Sequence, residues 1–196
     1  MRKRKMINNL LAQCKAVPFS TPVFYEKPFE EKAFYKVMHQ QFKLPSGEII
    51  TREFLKKKPA AVVIPVTVDG NVVCVIQPIS LSAEGSLIEV PAGYAEDNEN
   101  SAQAAMRELV EETGYVSTQI HYLGKHYQDP GSIKEPVNVF IALNCKKKHV
   151  QKLDKDEFII TLEIPKDELK QLMDEGEIKD ANTFIALAKA RFANYI

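Results

Sequence analysis

Three glutamates stand close together near the middle of this 196-residue chain, at Glu108, Glu111 and Glu112. On a helix with about 100° per residue, Glu111 and Glu112 lie about 60° and 40° to either side of Glu108, so the carboxylates share one stripe. Like charges at these spacings oppose the helix by roughly 0.2 to 0.5 kcal/mol per pair, and no lysine stands at the matching positions. Hard oxygen ligands without His or Cys suit Mg²⁺ or Mn²⁺, which usually bridge to substrate phosphates. The alternative interpretation is an acidic helix face exposed to solvent.

A helix must position this stripe, and residues 101–113 have the periodicity of one. Apolar residues recur at i, i+3/i+4 and i+7/i+8, and the residues of this face are Ala102, Ala105, Met106, Leu109 and Val110. Ser101 is predicted to cap the start of the helix, and Gly114 is predicted to end it. The apolar face would pack the helix onto a sheet and leave the carboxylates on the other side.

The rest of the chain predicts a protein in which strands surround this helix. The first 30 residues contain three prolines and predict an extended arm. The predicted hairpins are residues 31–43 with 49–55, and the buried antiparallel strands 60–68 with 72–76 around the turn Asp69-Gly70-Asn71. Further strands are predicted at 115–127, 137–143 and 158–164, and closing helices at 166–176 and 182–192, the last with Asp180 as its cap.

Composition narrows the class of protein. Lys plus Arg and Asp plus Glu each total 26, which gives a formal net charge of zero and argues against nucleic acid as a partner. The sequence contains no run of 18 or more apolar residues, so it predicts no membrane span. The start of the chain is too polar for a secretory signal, and we therefore expect a cytoplasmic protein. Three widely spaced cysteines without a CxxC pair argue against disulfides and zinc.

The segment from Gly93 to Tyr115 follows a pattern of fixed spacing. It reads Gly, five residues, Glu, seven residues, Arg-Glu, an apolar residue, any residue, Glu-Glu, any residue, Gly, then an aromatic residue. Chance would produce this match in about one window per 10⁸ to 10⁹. The chain therefore resembles a Nudix hydrolase, whose signature is this pattern. The physical parts agree, because Gly93 permits close approach of the loop and Arg107 can pair with Glu99.

Other segments resemble the ADP-ribose and nucleoside-diphosphate-sugar pyrophosphatase branch of that family. They are Leu87 to Gly93, Asp129 to Glu135 and Gly176 to Thr183. The resemblance covers about residues 50–192 and implies an α/β Nudix fold, with a mixed sheet sandwiched between helices and an N-terminal antiparallel β extension. It implies an arm and hairpin over residues 1–57 and a Nudix hydrolase domain over 58–196. N-terminal strands of this branch often exchange between subunits, so we expect a homodimer.

The resemblance also implies the residues of the site. The metal ligands carried over by position are Glu108, Glu112, an assisting Glu111 and the backbone carbonyl of Ala92. The implied catalytic residues are Glu111, Glu135 and Arg107, and the implied substrate-binding residues are Arg52, Glu89, Pro130 and Gly131. Glu135 would orient or deprotonate water. An exposed loop glutamate and an exposed edge-strand arginine are the alternative interpretations of Glu135 and Arg52.

The implied function is Mg²⁺-dependent hydrolysis of the pyrophosphate bond of a nucleoside diphosphate linked to a sugar, with Mn²⁺ as the alternative ion. ADP-ribose, cleaved to AMP and ribose 5-phosphate, is the leading substrate. GDP-mannose and other sugar nucleotides remain alternatives, because Ile79 stands where the branch commonly has an arginine and the chain has no Trp. A different class of function, a nucleotide-sensing module without turnover, also remains, although such modules tend to lose glutamates that this chain keeps.

Overall fold

The computed structural model describes residues 35–79, 82–155 and 157–196, so the arm predicted for the first 30 residues lies outside the described part. Its strands are β1 Tyr35–Lys43, β2 Ile49–Lys57, β3 Ala60–Thr67, β4 Val72–Pro78, β5 Ser86–Glu89, β6 Ala92–Tyr94, β7 Tyr115–Val116, β8 Gln119–His126, β9 Ile133–Lys134, β10 Val137–Lys147 and β11 Ile160–Ile164. Its helices are α1 Ser101–Thr113, α2 Lys166–Asp174 and α3 Ala181–Phe192. In the described residues, no helix has both the length and the apolar character that crossing a membrane requires.

The larger sheet has eight strands and is mixed, as expected. Its central order is β11-β4-β3-β10-β7, with β5 beside β4, β6 beside β3 and β8 beside β10. Strands β3 and β10 are parallel, and the other pairs are antiparallel. Pro65 lies inside β3, and the register of β10 shifts after Ala142, the partner of Pro65. A proline cannot donate to the ladder, which is consistent with this irregularity.

Strand β3 is buried along its whole length, because helices cover both faces of this sheet. Successive side chains of a strand point to opposite faces. Ala61 and Val63 belong to the core beneath α1, whereas Val62 and Ile64 belong to the core beneath α2 and α3. Full burial of a Val or Ile side chain stabilises the fold by roughly 1.5 to 3 kcal/mol. The expected sandwich of helix, sheet and helix is therefore confirmed.

Helix α1 covers the residues 101–113 whose periodicity predicted it, but its N-cap is Asn100, so the prediction that Ser101 is its cap is wrong. Asn100 has the extended backbone of an N-cap, and its Oδ1 accepts hydrogen bonds from the backbone N–H groups of Ala102 and Gln103, both at 3.0 Å. The side chain of Gln103 accepts from the backbone N–H of Asn100 at 2.9 Å. Ser101 is already helical, and its Oγ accepts from the side-chain amide of Asn138 at 3.0 Å. Asn100 thus satisfies the donors that a cap must satisfy.

Most other predicted boundaries hold to within a few residues. Gly114 ends α1 with a φ of 75°, and Asp180 caps α3 by accepting from the N–H of Thr183 at 2.7 Å. The strand predicted over 115–127 is instead two strands, β7 and β8, which both pair with β10. The strand predicted over 158–164 begins only at residue 160.

The N-terminal hairpin forms a second sheet with a strand that the sequence did not predict. Strands β1 and β2 are antiparallel, and β2 pairs in parallel with the two-residue strand β9. The N–H of Leu55 also donates to the carbonyl of Ser132 at 2.8 Å. The hairpin therefore fixes the loop that carries Pro130, Gly131 and Glu135.

Candidate active site

The loop and the helix of the 93–115 segment meet at Gly93, on strand β6. A Cβ added to Gly93 would lie 1.9 Å from Oε1 of Glu108, so a larger residue could not stand here unless that carboxylate moved. Strand β6 is held against the core strand by pairing of Gly93 with Ala61 and of Ala92 with Val62. This is the close approach predicted for Gly93, and it presses the Glu108 side chain against the backbone of the loop.

One guanidinium organises the loop and the acidic stripe. Arg107 donates to Glu99 at 3.1 and 3.2 Å, as predicted, and also to the carbonyl of Tyr94 at 3.0 Å. It further donates to Glu108 and Glu111, both at 2.9 Å. Arg107 therefore offsets the repulsion among the glutamates of the stripe, which no lysine at the matching helix positions could offset. Burial opposes the charge of Arg107, but these ion pairs raise its pKa overall. Hydrogen bonds from Arg107 lower the pKa of Glu99.

Glu112 is a buried carboxylate whose hydrogen bonding is incomplete in the described part of the chain. Its side chain is 4% exposed, and its Oε2 has no hydrogen-bond partner among the described residues. Burial raises its pKa well above the ordinary value, and the charges of Glu108, Glu157 and Glu89 raise it further, while the N–H of Ala92 lowers it. A buried charge whose hydrogen bonding is incomplete is costly, so this group needs either a proton or a cation.

The residues around Glu112 fit a divalent cation in their chemistry. Among the described residues, no group of three or more His, Cys, Asp or Glu side chains is arranged to hold a metal ion. However, Glu112 supplies an oxygen with no partner, and Glu108 is close enough to raise its pKa. With the Ala92 carbonyl nearby on β6, these are hard oxygen donors, and Mg²⁺ commonly binds one or two carboxylates and keeps its remaining waters. Glu111 is 34% exposed and is bound to Arg107.

A cleft of about 810 Å³ opens above Gly93 and Glu108, and we call it the charged cleft. Its acidic lining residues are Glu96, Glu108, Asp154 and Glu157, and its basic ones are Lys36, Lys56, Lys57, Lys58 and Arg107. Sequence reasoning missed Asp154 and Glu157, which follow β10 in a loop. The acidic residues just before the last strand were the available signal.

Glu135 lies beside the charged cleft and is not an exposed loop residue. It is 4% exposed, and its Oε2 lies 3.5 Å from the Nζ of Lys57, without a hydrogen-bond partner in the described chain. Lys57 also donates to the Oη of Tyr94 at 3.2 Å and lines the cleft. The structure therefore connects Glu135 to the cleft through Lys57.

Three of the four predicted substrate-binding residues lie together in a second cavity, the hairpin cleft. This cavity of about 710 Å³ is lined by Arg52, Pro130 and Gly131 together with Gln40, Phe42, Phe54, Tyr127, Ile133 and Lys134. It lies between the hairpin and the loop that the hairpin fixes. Aromatic rings beside cationic groups suit a planar, anionic ligand such as a nucleotide.

The fourth predicted substrate-binding residue, Glu89, lines neither cleft. Its Oε2 accepts from the side-chain amide of Gln77 at 2.6 Å. Burial raises the pKa of Glu89 to about 7, with a further contribution from Asp180, although the bond from Gln77 lowers it. The charge of Glu89 also raises the pKa of Glu112, so Glu89 interacts electrostatically with the carboxylate cluster.

Comparisons with known proteins agree with this geometry. The model of the NUDIX domain family matches residues 56–194. The chain is 33% identical to the methanol dehydrogenase activator of Bacillus methanolicus, over 84% of this chain and 92% of that protein. It is 33% identical to the ADP-ribose pyrophosphatase of Bacillus subtilis, over 76% and 80%. It is 35% identical to the GDP-mannose pyrophosphatase of Klebsiella pneumoniae, over 53% of each chain.

A solved structure described as an ADP compounds hydrolase has the same fold. The two structures superimpose with a TM-score of 0.70, over 85% of this chain and 90% of that chain. Their sequences are 18% identical, so this comparison concerns the fold alone.

Proposed function

The chain belongs to the Nudix hydrolase family, and from this premise we propose that it hydrolyses the pyrophosphate bond of a nucleoside diphosphate linked to a sugar. We propose ADP-ribose as the preferred substrate, with AMP and ribose 5-phosphate as products. The relative named ADP-ribose pyrophosphatase supports this choice, because the similarity extends over 80% of its length. GDP-mannose is the second candidate, since relatives named for it match over about half of their length.

The observation that carries the proposal is the buried carboxylate of Glu112 next to Glu108, one oxygen of which has no hydrogen-bond partner among the described residues. A diphosphate entering the charged cleft would be repelled by these groups unless a divalent cation neutralised both. We propose that Glu108, Glu112 and the carbonyl of Ala92 hold Mg²⁺, or Mn²⁺ as the alternative, with assistance from Glu111. When bound, this ion would neutralise the phosphate charge and lower the pKa of a bound water.

The chain's own residues would then position the reactants. Water attacks one phosphorus, its oxygen forms the new P–O bond, and the bond from that phosphorus to the bridging oxygen breaks. A carboxylate must accept the proton of the attacking water. The predicted candidate is Glu135, and Glu157 is a second one because it lines the charged cleft. Arg107 would keep Glu108 and Glu111 in place through its hydrogen bonds.

We propose that the hairpin cleft binds the nucleoside part of the substrate through Arg52, Pro130 and Gly131. Arg52 is a cation on the wall of a cavity that also contains two phenylalanine rings, so it could contact phosphate or ribose oxygens while a base stacks. The substrate contact predicted for Glu89 stays a prediction. The homodimer and the cytoplasmic location also stay predictions.

A substrate panel tests the proposed function. The purified chain is assayed with ADP-ribose, GDP-mannose, other sugar nucleotides, NADH, dinucleoside polyphosphates and nucleoside triphosphates, with Mg²⁺, with Mn²⁺ and with EDTA. We expect the highest kcat/KM for ADP-ribose, AMP as a product, and no turnover in EDTA. A preference for triphosphates would overturn the substrate class. Tight nucleotide binding without product at millimolar Mg²⁺ would favour the sensing module instead.

A further inference from the structure

Lys57 is the last residue of strand β2, and its side chain contacts both strand β6 and the loop that follows β9. Its Nζ lies 3.5 Å from the buried carboxylate of Glu135 and donates to the Oη of Tyr94 at 3.2 Å. The Nζ also lies 5.8 Å from the centre of the Tyr94 ring. The side chain of Lys57 is 22% exposed and lines the charged cleft, so it is anchored at its tip without being sealed from solvent.

The ammonium group of Lys57 has a donor left for a ligand. An ammonium group carries three N–H donors. One is used by Tyr94, the Glu135 carboxylate lies within ion-pair distance at 3.5 Å, and no third partner exists among the described residues. Burial opposes the charge of Lys57, yet Tyr94 and Glu135 raise its pKa overall, so it remains a cation.

The guanidinium of Arg107, the other partly buried cation of this cleft, already uses its N–H donors within the protein. Arg107 donates to Glu99, Glu108, Glu111 and the carbonyl of Tyr94, so its hydrogen bonds are taken by the loop and the helix. Lys36, Lys56 and Lys58 also line the cleft, but they are exposed on its rim. A phosphate held above Glu108 would therefore find its best-ordered positive charge at Lys57.

We propose that Lys57, on the wall of the charged cleft, binds a phosphate oxygen of the diphosphate substrate, and that Glu135 and Tyr94 hold it there. This inference rests on the proposed function for the identity of the ligand. It gives Glu135 a positioning role that does not depend on whether this carboxylate also orients water. Lys57 then adds a contact to the substrate that the sequence pattern of the 93–115 segment does not contain.

The test separates binding from turnover by using an analogue of ADP-ribose whose bridging oxygen is replaced by a methylene group. Its affinity is measured by calorimetry in millimolar Mg²⁺ for the wild type, Lys57→Met, Lys57→Arg and Glu135→Gln. The matched control is Lys170→Met, which removes an exposed lysine that is paired with Asp174 on α2. Thermal unfolding of each variant confirms that the fold is retained, and Tyr94→Phe replaces Lys57→Met if the latter does not fold.

We expect Lys57→Met to weaken analogue binding at least about tenfold and to raise KM by a similar factor, with kcat within about threefold of wild type. Lys57→Arg keeps the positive charge and should therefore lose less affinity than Lys57→Met, and Lys170→Met should have no effect. Glu135→Gln should also weaken binding, and adding it to Lys57→Met should cost no further affinity. In Tyr94→Phe, which removes one anchor, the loss should be about threefold.

Affinity of Lys57→Met within about twofold of wild type would overturn the inference, as would a fall in kcat alone. In the fallback variant, unchanged affinity of Tyr94→Phe would overturn it too. If the wild type binds the analogue but hydrolyses no diphosphate, the proposed function fails. The ratio of affinities between wild type and Lys57→Met then still decides the role of Lys57.

Discussion

The carboxylate of Glu112 is placed where the metal-free fold gains nothing from its charge. It is buried, one of its oxygens lacks a hydrogen-bond partner among the described residues, and three other glutamates raise its pKa. Residues that lower stability in this way are common at sites that bind ligands, because the bound ligand supplies the missing interaction. Glu112 is therefore the residue at which stability and activity should respond in opposite directions to one substitution.

We predict that Glu112→Gln lowers kcat at least about 10²-fold and raises the unfolding temperature of the metal-free protein. The amide keeps the shape of the side chain but removes the buried negative charge. Steady-state assays in Mg²⁺ and thermal unfolding in EDTA measure the two effects. Glu48→Gln, in the exposed turn of the hairpin, is the control and should change neither. Near-normal turnover by a folded Glu112→Gln protein would remove Glu112 from the proposed metal ligands.

Glu89 gives a second prediction, on the pH dependence of stability. Its pKa in the folded protein is about 7 and its ordinary value is 4.5, so between these pH values the folded state holds more protons than the unfolded state. The free energy of unfolding must then fall as pH rises from about 4.5 to 7, by about 2 to 3 kcal/mol from this group. Glu89→Gln cannot titrate, so its stability should fall less over this range.

Urea unfolding in EDTA at several pH values between 4.5 and 7.5 measures this difference. Gln can still accept the hydrogen bond from Gln77, so the substitution changes the charge more than the packing. Parallel pH profiles for wild type and Glu89→Gln would show that Glu89 is ionised normally in the folded protein.

At the scale of elements, the sequence predicted those features that depend on local spacing. The periodicity of residues 101–113 located α1, and the loop contacts of Gly93 and the Glu99–Arg107 pair followed from the signature pattern. The two-residue strand β9 carried no comparable signal, because its pairing with β2 depends on how the chain packs. The position of Glu157 on the charged cleft also depends on packing of a loop remote in sequence.

The cap of α1 shows how close alternatives limit sequence reasoning. Asn and Ser are similarly good N-caps, and Asn100 and Ser101 are adjacent, so propensity alone cannot choose between them. The reciprocal bond between Asn100 and Gln103 decides the choice in favour of Asn100. This position matters for function because α1 carries Glu108 and Glu112.

We predict that Asn100→Ala lowers the free energy of unfolding by about 1 kcal/mol, because two backbone N–H groups of α1 lose their acceptor. Ser101→Ala should cost less, since the Ser101 hydroxyl makes one side-chain bond to Asn138 and caps nothing. Urea unfolding of both variants under the same conditions makes the comparison. A larger loss for Ser101→Ala would return the cap to the position expected from the sequence.

At the scale of the whole molecule, the hairpin presents two faces with different properties. One face carries Gln40, Phe42, Arg52 and Phe54 and lines the hairpin cleft. On the other face, Val37 is opposite Leu55 and Ile49 is opposite Lys43 in the antiparallel register, so Val37 and Ile49 point to the same side. These two side chains are 56% and 63% exposed, so this face of the hairpin presents apolar surface that a partner could cover.

The expected homodimer would cover this exposed face of the hairpin. We predict that the wild type sediments with twice the chain mass of 22.2 kDa, and that the double variant Val37→Lys/Ile49→Lys sediments as a monomer. Val150→Lys is the matched control, because Val150 is 86% exposed in a loop outside the hairpin and its substitution should leave the mass unchanged. Since β2 also carries Arg52 and Lys57, loss of the dimer should raise KM as well. A wild type that is monomeric at assay concentration would remove the hairpin as a subunit interface and leave both clefts within a single chain.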